Sequence, residues 1–185
     1  EQSGWVDVVF PLAELEQLGV SGLTELMFRM VAPVDYHAGV AGYCFQRSPY
    51  MFLDVLPRMR ALSKRFVGVE ITASDRLAYL AERGIPTVNW LTFIGSEHLA
   101  SLGGMTVMGP LLGADLSLHP VGEGAALVCA GGPRLGDSND PSDDIAPFRQ
   151  AYAPIRAAQF VDPVYEFDVD EFPGDETVEW LTRLG

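Results

Sequence analysis

The spacing of apolar residues changes several times along this chain, and each change predicts an element. Residues 5–10, WVDVVF, alternate in part and are rich in valine, which predicts a strand. In LTELMFRMV, residues Leu23, Leu26, Met27 and Met30 fall at helical spacing, and Pro33 stops the run. HAGVAGYCF reads as a second strand in which Gly39 and Gly42 allow close packing from above. Ser48 and Pro49 signal a cap and first turn for a helix running toward Leu62, with Pro57 predicted to kink or split it. ASDRLAYLAERG predicts a helix with Leu77, Leu80 and Ala81 as its apolar stripe and Gly84 and Pro86 as its stop.

Farther on, VNWLTFI is apolar enough on both faces to be central in a sheet, with Trp90 and Phe93 in the core and Asn89 satisfying backbone groups. EHLASL follows as a short helix closed by Gly103 and Gly104. DLSLHPV and AALVCAG flank GEG as a β-hairpin. Phe148, Tyr152 and Ile155 share one face of a later helix, interrupted or restarted at Pro154. Asp175 is expected to cap a terminal helix whose Val178 and Leu181 face inward. Hairpin strands mixed with helices, without regular alternation, predict an α+β fold: one domain over residues 1–185, with a largely antiparallel sheet flanked by helices.

Charge narrows the function. The chain carries 25 acids against 12 bases, a net charge of -13. Such a chain repels nucleic-acid phosphate and anionic membrane, and is steered toward a basic partner. The acids are uneven: residues 137–144, DSNDPSDD, hold four with no base, and residues 162–179 hold eight with none. The ordinary reading of such runs is a solvated loop or tail. No apolar run approaches the ~20 residues that cross a bilayer, and EQSGWVDVVF lacks the basic-then-apolar pattern of a leader. Cys44 and Cys129 sit in apolar segments and read as buried free thiols of a reducing compartment, a disulfide requiring those segments to be adjacent.

Chemistry is sparse. His37, His98 and His119 show no metal-ligand spacing, with His98 read on the exposed side of its short helix and His119 in the hairpin. There is no nucleophile elbow and no phosphate-cradling glycine loop, so no catalytic residue, metal or cofactor is expected.

Several ordered pieces resemble the type VI secretion immunity family: VNWLTFIG at residues 88–95, LGG at 102–104, AGGPRLGDSN at 130–139, the PFRQAYAPIR helix and the ending TVEWLTRL. HAGVAGY and RFVGVEI agree more weakly. Thr87 stands where that family commonly has glycine, and SNDPSDD replaces a more basic continuation. The resemblance implies an antitoxin, not an enzyme, that binds and neutralises a cognate secreted antibacterial effector. In several members the effector is a nuclease of the restriction-endonuclease or VRR type, encoded by the neighbouring gene.

A nuclease presents a basic groove, which an acidic protein can occlude. The candidate effector-binding residues are then Asp137, Asp140, Asp143 and Asp144 in the first run. In the second they are Asp162, Tyr165, Glu166, Phe167, Asp168, Asp170 and Glu171, where aromatics interleave with acids. Gly136 and Asp137 are expected to shape a turn from which the following acids reach outward. Action against a nuclease implies the cytoplasm; an envelope-attacking effector implies the periplasm. Two alternatives are a small-molecule-modifying enzyme, which needs a pocket gathering His98 or His119 with carboxylates, and a secretion-system adaptor module.

Overall fold

The computed structural model describes residues 4–45, 52–71, 74–160 and 174–185. In chain order its elements are α1 (Leu12–Val31), β1 (Ala38–Ala41), α2 (Phe52–Arg65), α3 (Ser74–Ala81), β2 (Leu91–Ile94), α4 (Ser96–Ser101), α5 (Gly104–Met108), β3 (Leu116–Val121), β4 (Gly124–Cys129), α6 (Ala146–Ile155) and α7 (Gly174–Leu181). The four strands form one sheet in the order β1-β2-β4-β3, with every neighbouring pair antiparallel. This is the α+β architecture the sequence predicts.

The residues that alternate least become the centre. All four residues of β2 are buried, because the strand is paired on both edges and covered on both faces. Gly39, Phe93, Ala126 and His119 stand side by side across the sheet. Phe28 of α1 lies edge-on to Phe93, with ring centroids 6.3 Å apart, and against His119 at 5.6 Å. Alternation puts Leu127 and Cys129 on the opposite face, where Cys129 Sγ meets the Pro147 carbonyl of α6 at 3.7 Å. Phe148, Ala151, Tyr152 and Ile155 are the buried stripe of α6, as their spacing predicts. A smaller cluster of Met59, Ile71, Leu80, Trp180 and Leu181 joins α2, α3 and α7.

Several local expectations are corrected. WVDVVF forms no strand: residues 5–9 are exposed, and no ladder pairs them among the described residues. Strand-forming composition yields no strand without a neighbour to bond. The first helix begins at Leu12, eleven residues before Leu23, and is kinked at Gly19 (φ 67°, ψ 173°), a break that hides its first half from a periodicity reading. The strand read in HAGVAGYCF shortens to Ala38–Ala41. Both α2 and α6 run through their prolines without splitting. α5 begins at Gly104 itself, with Gly103 at its N-cap, and α7 starts at Gly174, so Asp175 falls in its first turn.

Neither cysteine is in a disulfide, but only Cys129 is buried; Cys44, past the end of β1 and β-bridged to Glu70, is exposed. Burial pushes the Cys129 thiol up to about 12, so it stays protonated at neutral pH. Among the described residues no helix is long and apolar enough to cross a membrane. The signal read at Ser48 and Pro49 lies outside the described residues.

Candidate functional site

β4 leaves the sheet at Cys129 and runs through Gly131, Gly132 and Gly136, all with positive φ, into the acidic loop. At Gly136 a Cβ would come within 2.5 Å of Ile145 Cγ2 and 2.9 Å of the Gly68 nitrogen. Only glycine fits that crossing. The loop then docks along the segment that follows α2: Gly68 N–H donates to Leu135 O at 2.8 Å, Val67 N–H to Gly136 O at 3.2 Å, and Ser138 N–H to Arg65 O at 2.9 Å. From below, Arg183 Nε–H donates to Val67 O at 2.7 Å while its guanidinium lies 3.5 Å from the Trp180 ring centroid. Burial pulls the Arg183 pKa down to about 10, which leaves it charged at neutral pH.

Within this frame the four acids divide by role. Asp137 is half-buried and gripped by Arg65, whose Nε–H and Nη2–H donate to its two carboxylate oxygens at 2.8 and 2.7 Å. It also accepts Asn139 N–H at 2.9 Å. The Arg65 fork, then the Asn139 amide, hold its carboxyl below the usual carboxylate range. Asp143, also half-buried, turns back to accept Asp137 N–H at 3.0 Å. Asp140 and Asp144 are exposed. Each uses one oxygen locally: Asp140 Oδ1 accepts the Ser142 hydroxyl at 2.6 Å and its N–H at 2.9 Å, and Asp144 Oδ1 accepts Ala146 N–H at 2.8 Å. The Ser142 hydroxyl and amide lower the Asp140 carboxyl too. The chain turns after Asp137, where Asp140 N–H donates to Asp137 O at 2.9 Å, and of the acids that follow Asp140 and Asp144 reach solvent while Asp143 faces the loop.

Sequence reading misses the cations that hold this arrangement. Their signal is the basic last turn of α2, Lys64 and Arg65. The same helix supplies Arg60, which forks onto Glu176 of α7, one contact being Nε to Oε2 at 2.7 Å, with Lys64 Nζ at 3.7 Å. Glu176, part of the second acidic run, is thereby held below its ordinary range, chiefly by the Arg60 hydrogen bond. The candidates Asp162, Tyr165, Glu166, Phe167, Asp168, Asp170 and Glu171 lie outside the described residues.

These shifts have a pH consequence. A lowered native carboxyl contributes stability that is fully present above the unfolded value and is lost as pH falls through the native one. The unfolded values lie near 4, so loop docking is expected to hold at neutral pH and to loosen progressively below about pH 4. Arg65→Met should return the Asp137 carboxyl toward its ordinary value, with little change in overall stability because Arg65 is exposed. Carboxyl titration by NMR reads this directly; an unmoved Asp137 would remove Arg65 from its role.

Among the described residues no histidine site assembles. His98 is half-buried, not exposed, with Nε2 2.7 Å from Ala81 O. His119 stands on the edge strand with Nε2 2.9 Å from Ser117 Oγ. Two shallow grooves run along α1, and neither is lined by His98 or His119. Asn89 is fully buried and structural, as expected: Oδ1 accepts Trp90 N–H at 2.8 Å, and Nδ2 donates to Gly68 O at 3.2 Å.

Comparison with known proteins gives these features a setting. No curated protein matches the chain. Among solved structures, Pseudomonas aeruginosa T6SS protein PA0821 is similar with a TM-score of 0.81 at 22% identity, over 94% of this chain and 50% of that one. The likeness is one of fold, and this chain spans half the length of that protein. A family model covers residues 1–184. The chain belongs to the family TsiV, type VI immunity for VRR-NUC.

Proposed function

We propose that this protein neutralises a VRR-NUC effector of the type VI secretion system by binding it and covering its basic nucleic-acid groove. The chain works by occupancy and carries out no turnover. The observation that carries this reading is the division of labour in the acidic loop. Asp137 and Asp143 are engaged inward, Asp137 by Arg65, and this fixes the backbone from which Asp140 and Asp144 face solvent. Fixed outward carboxylates complement a phosphate-binding surface without an ordering cost at binding. Net charge of -13 adds long-range attraction. By composition, the acids and aromatics of residues 162–171 are assigned to the same contact. The partner is the nuclease encoded beside this chain, and the compartment is the one holding that nuclease's substrate, the cytoplasm.

Calorimetry with that nuclease at low and at high salt tests the reading. Tight binding that weakens with salt is expected. D140N/D144N should weaken it by roughly tenfold and flatten the salt dependence, as loss of steering charges does. Salt-independent binding untouched by the double change would sink the acidic-loop contact, and absence of binding would sink the function.

A further inference from the structure

Exposed apolar surface is concentrated near the start of this chain. Thirteen large hydrophobic side chains are more than a third exposed among the described residues, and nine of them lie between Trp5 and Val34. Val6 is 80% exposed, Leu12 65% and Trp5 59%, values far from those of residues that stabilise a fold. The stretch is acidic as well, with Asp7, Glu14, Glu16, Glu25 and Asp35 against Arg29 alone over residues 4–35. WVDVVF keeps strand-forming composition with no ladder partner among the described residues.

The α1 end of this surface meets the run that leads from β4 toward the acidic loop. A groove of about 330 Å³ lies between α1, at Val20, Thr24 and Phe28, and the end of β4 at Val128 and Gly131, where the chain heads for the loop. A Cβ on Gly132 would stand 2.6 Å from Val20 Cγ2, so α1 and that run touch. Acids by themselves give attraction and fast encounter; affinity needs desolvated apolar anchors beside them.

We infer that the outward apolar residues of Trp5 to Val20, chiefly Trp5, Val6, Leu12, Leu18 and Val20, are the anchors that grip the cognate nuclease, with the acidic loop as its electrostatic guide. The inference rests on the binding function proposed above and locates its energetic centre away from the acids. Charge selects the occupant. A second copy would bring -13 against -13 and set these five acids against their equivalents across a two-fold axis. A basic nuclease matches both the apolar and the acidic components.

The test is the V6E/L12E variant, measured with the wild type and D140N/D144N for affinity and dissociation rate toward the nuclease encoded beside this chain. Both changed positions are exposed, so thermal unfolding should be unaltered. V6E/L12E is expected to lose on the order of 100-fold in affinity, mostly through faster dissociation, against the smaller, salt-linked loss in D140N/D144N. If V6E/L12E lowers the unfolding temperature, Val6→Ser alone carries the comparison. Wild-type binding with unchanged V6E/L12E affinity would leave the function standing and overturn this surface. Light scattering that shows a dimer broken by V6E/L12E, with nuclease affinity intact, would assign the face to a second copy and overturn it too. Failure of the wild type to bind would remove the function and this inference together.

Discussion

Phe148→Ala is expected to destabilise the protein by about 3–5 kcal/mol. Phe148 is fully buried and is the largest such side chain among the described residues. It sits in the first turn of α6, beside Pro147, whose carbonyl meets Cys129 on the sheet. The helix is tied in by Ala151, Tyr152 and Ile155 further along, so the sheet cannot close on the space left by the ring. Domains of this kind have about 5–15 kcal/mol of stability in total, and the loss would be a large share of it. Urea unfolding reads the change; a loss below about 1 kcal/mol would mean that α6 does not anchor the core.

Asn89→Leu should cost a comparable amount, about 2–6 kcal/mol, from two unsatisfied buried backbone groups at about 1–3 kcal/mol each. The substitution preserves approximate volume but leaves Trp90 N–H and Gly68 O without the partners they have at 2.8 and 3.2 Å. The site has no slack: a Cβ on Gly42 would stand 2.0 Å from Asn89 Oδ1. Gly68 also donates to Leu135 at the entrance to the acidic loop. The variant is therefore expected to speed hydrogen exchange at Gly68 more than in the β2–β4 ladder. Equal acceleration everywhere would show that Asn89 supports global stability alone, with no special link to the loop.

Fold class, the hairpin and the inward face of α6 are legible in the sequence because each depends on local spacing. VNWLTFI announces a central strand through apolar residues on both faces, and its Leu91–Ile94 core is buried as that pattern requires. Asn89 could be assigned a structural role because a polar residue inside an apolar strand must find partners. Other features depend on partners distant in sequence. WVDVVF reads as a strand on composition, yet strand formation is settled by whether an edge is available to it. In the acidic loop the sequence sets Asp137 apart as a turn residue and sends every later acid outward. The grip of Arg65 on Asp137, from 72 residues earlier in the chain, and the turning back of Asp143 onto the Asp137 amide are visible only in the fold. Likewise Glu176 cannot be told from its acidic neighbours until α2 brings Arg60 to it.

Groove covering, as proposed for this protein, is tested most directly by titrating the chain into its candidate VRR-NUC effector while following DNA cleavage, and by repeating the titration with a large excess of uncleavable DNA. Cleavage should fall to zero at stoichiometric addition, and the competing DNA should raise the amount of chain required, because both occupy one surface. Full cleavage by a nuclease saturated with the chain would contradict the account.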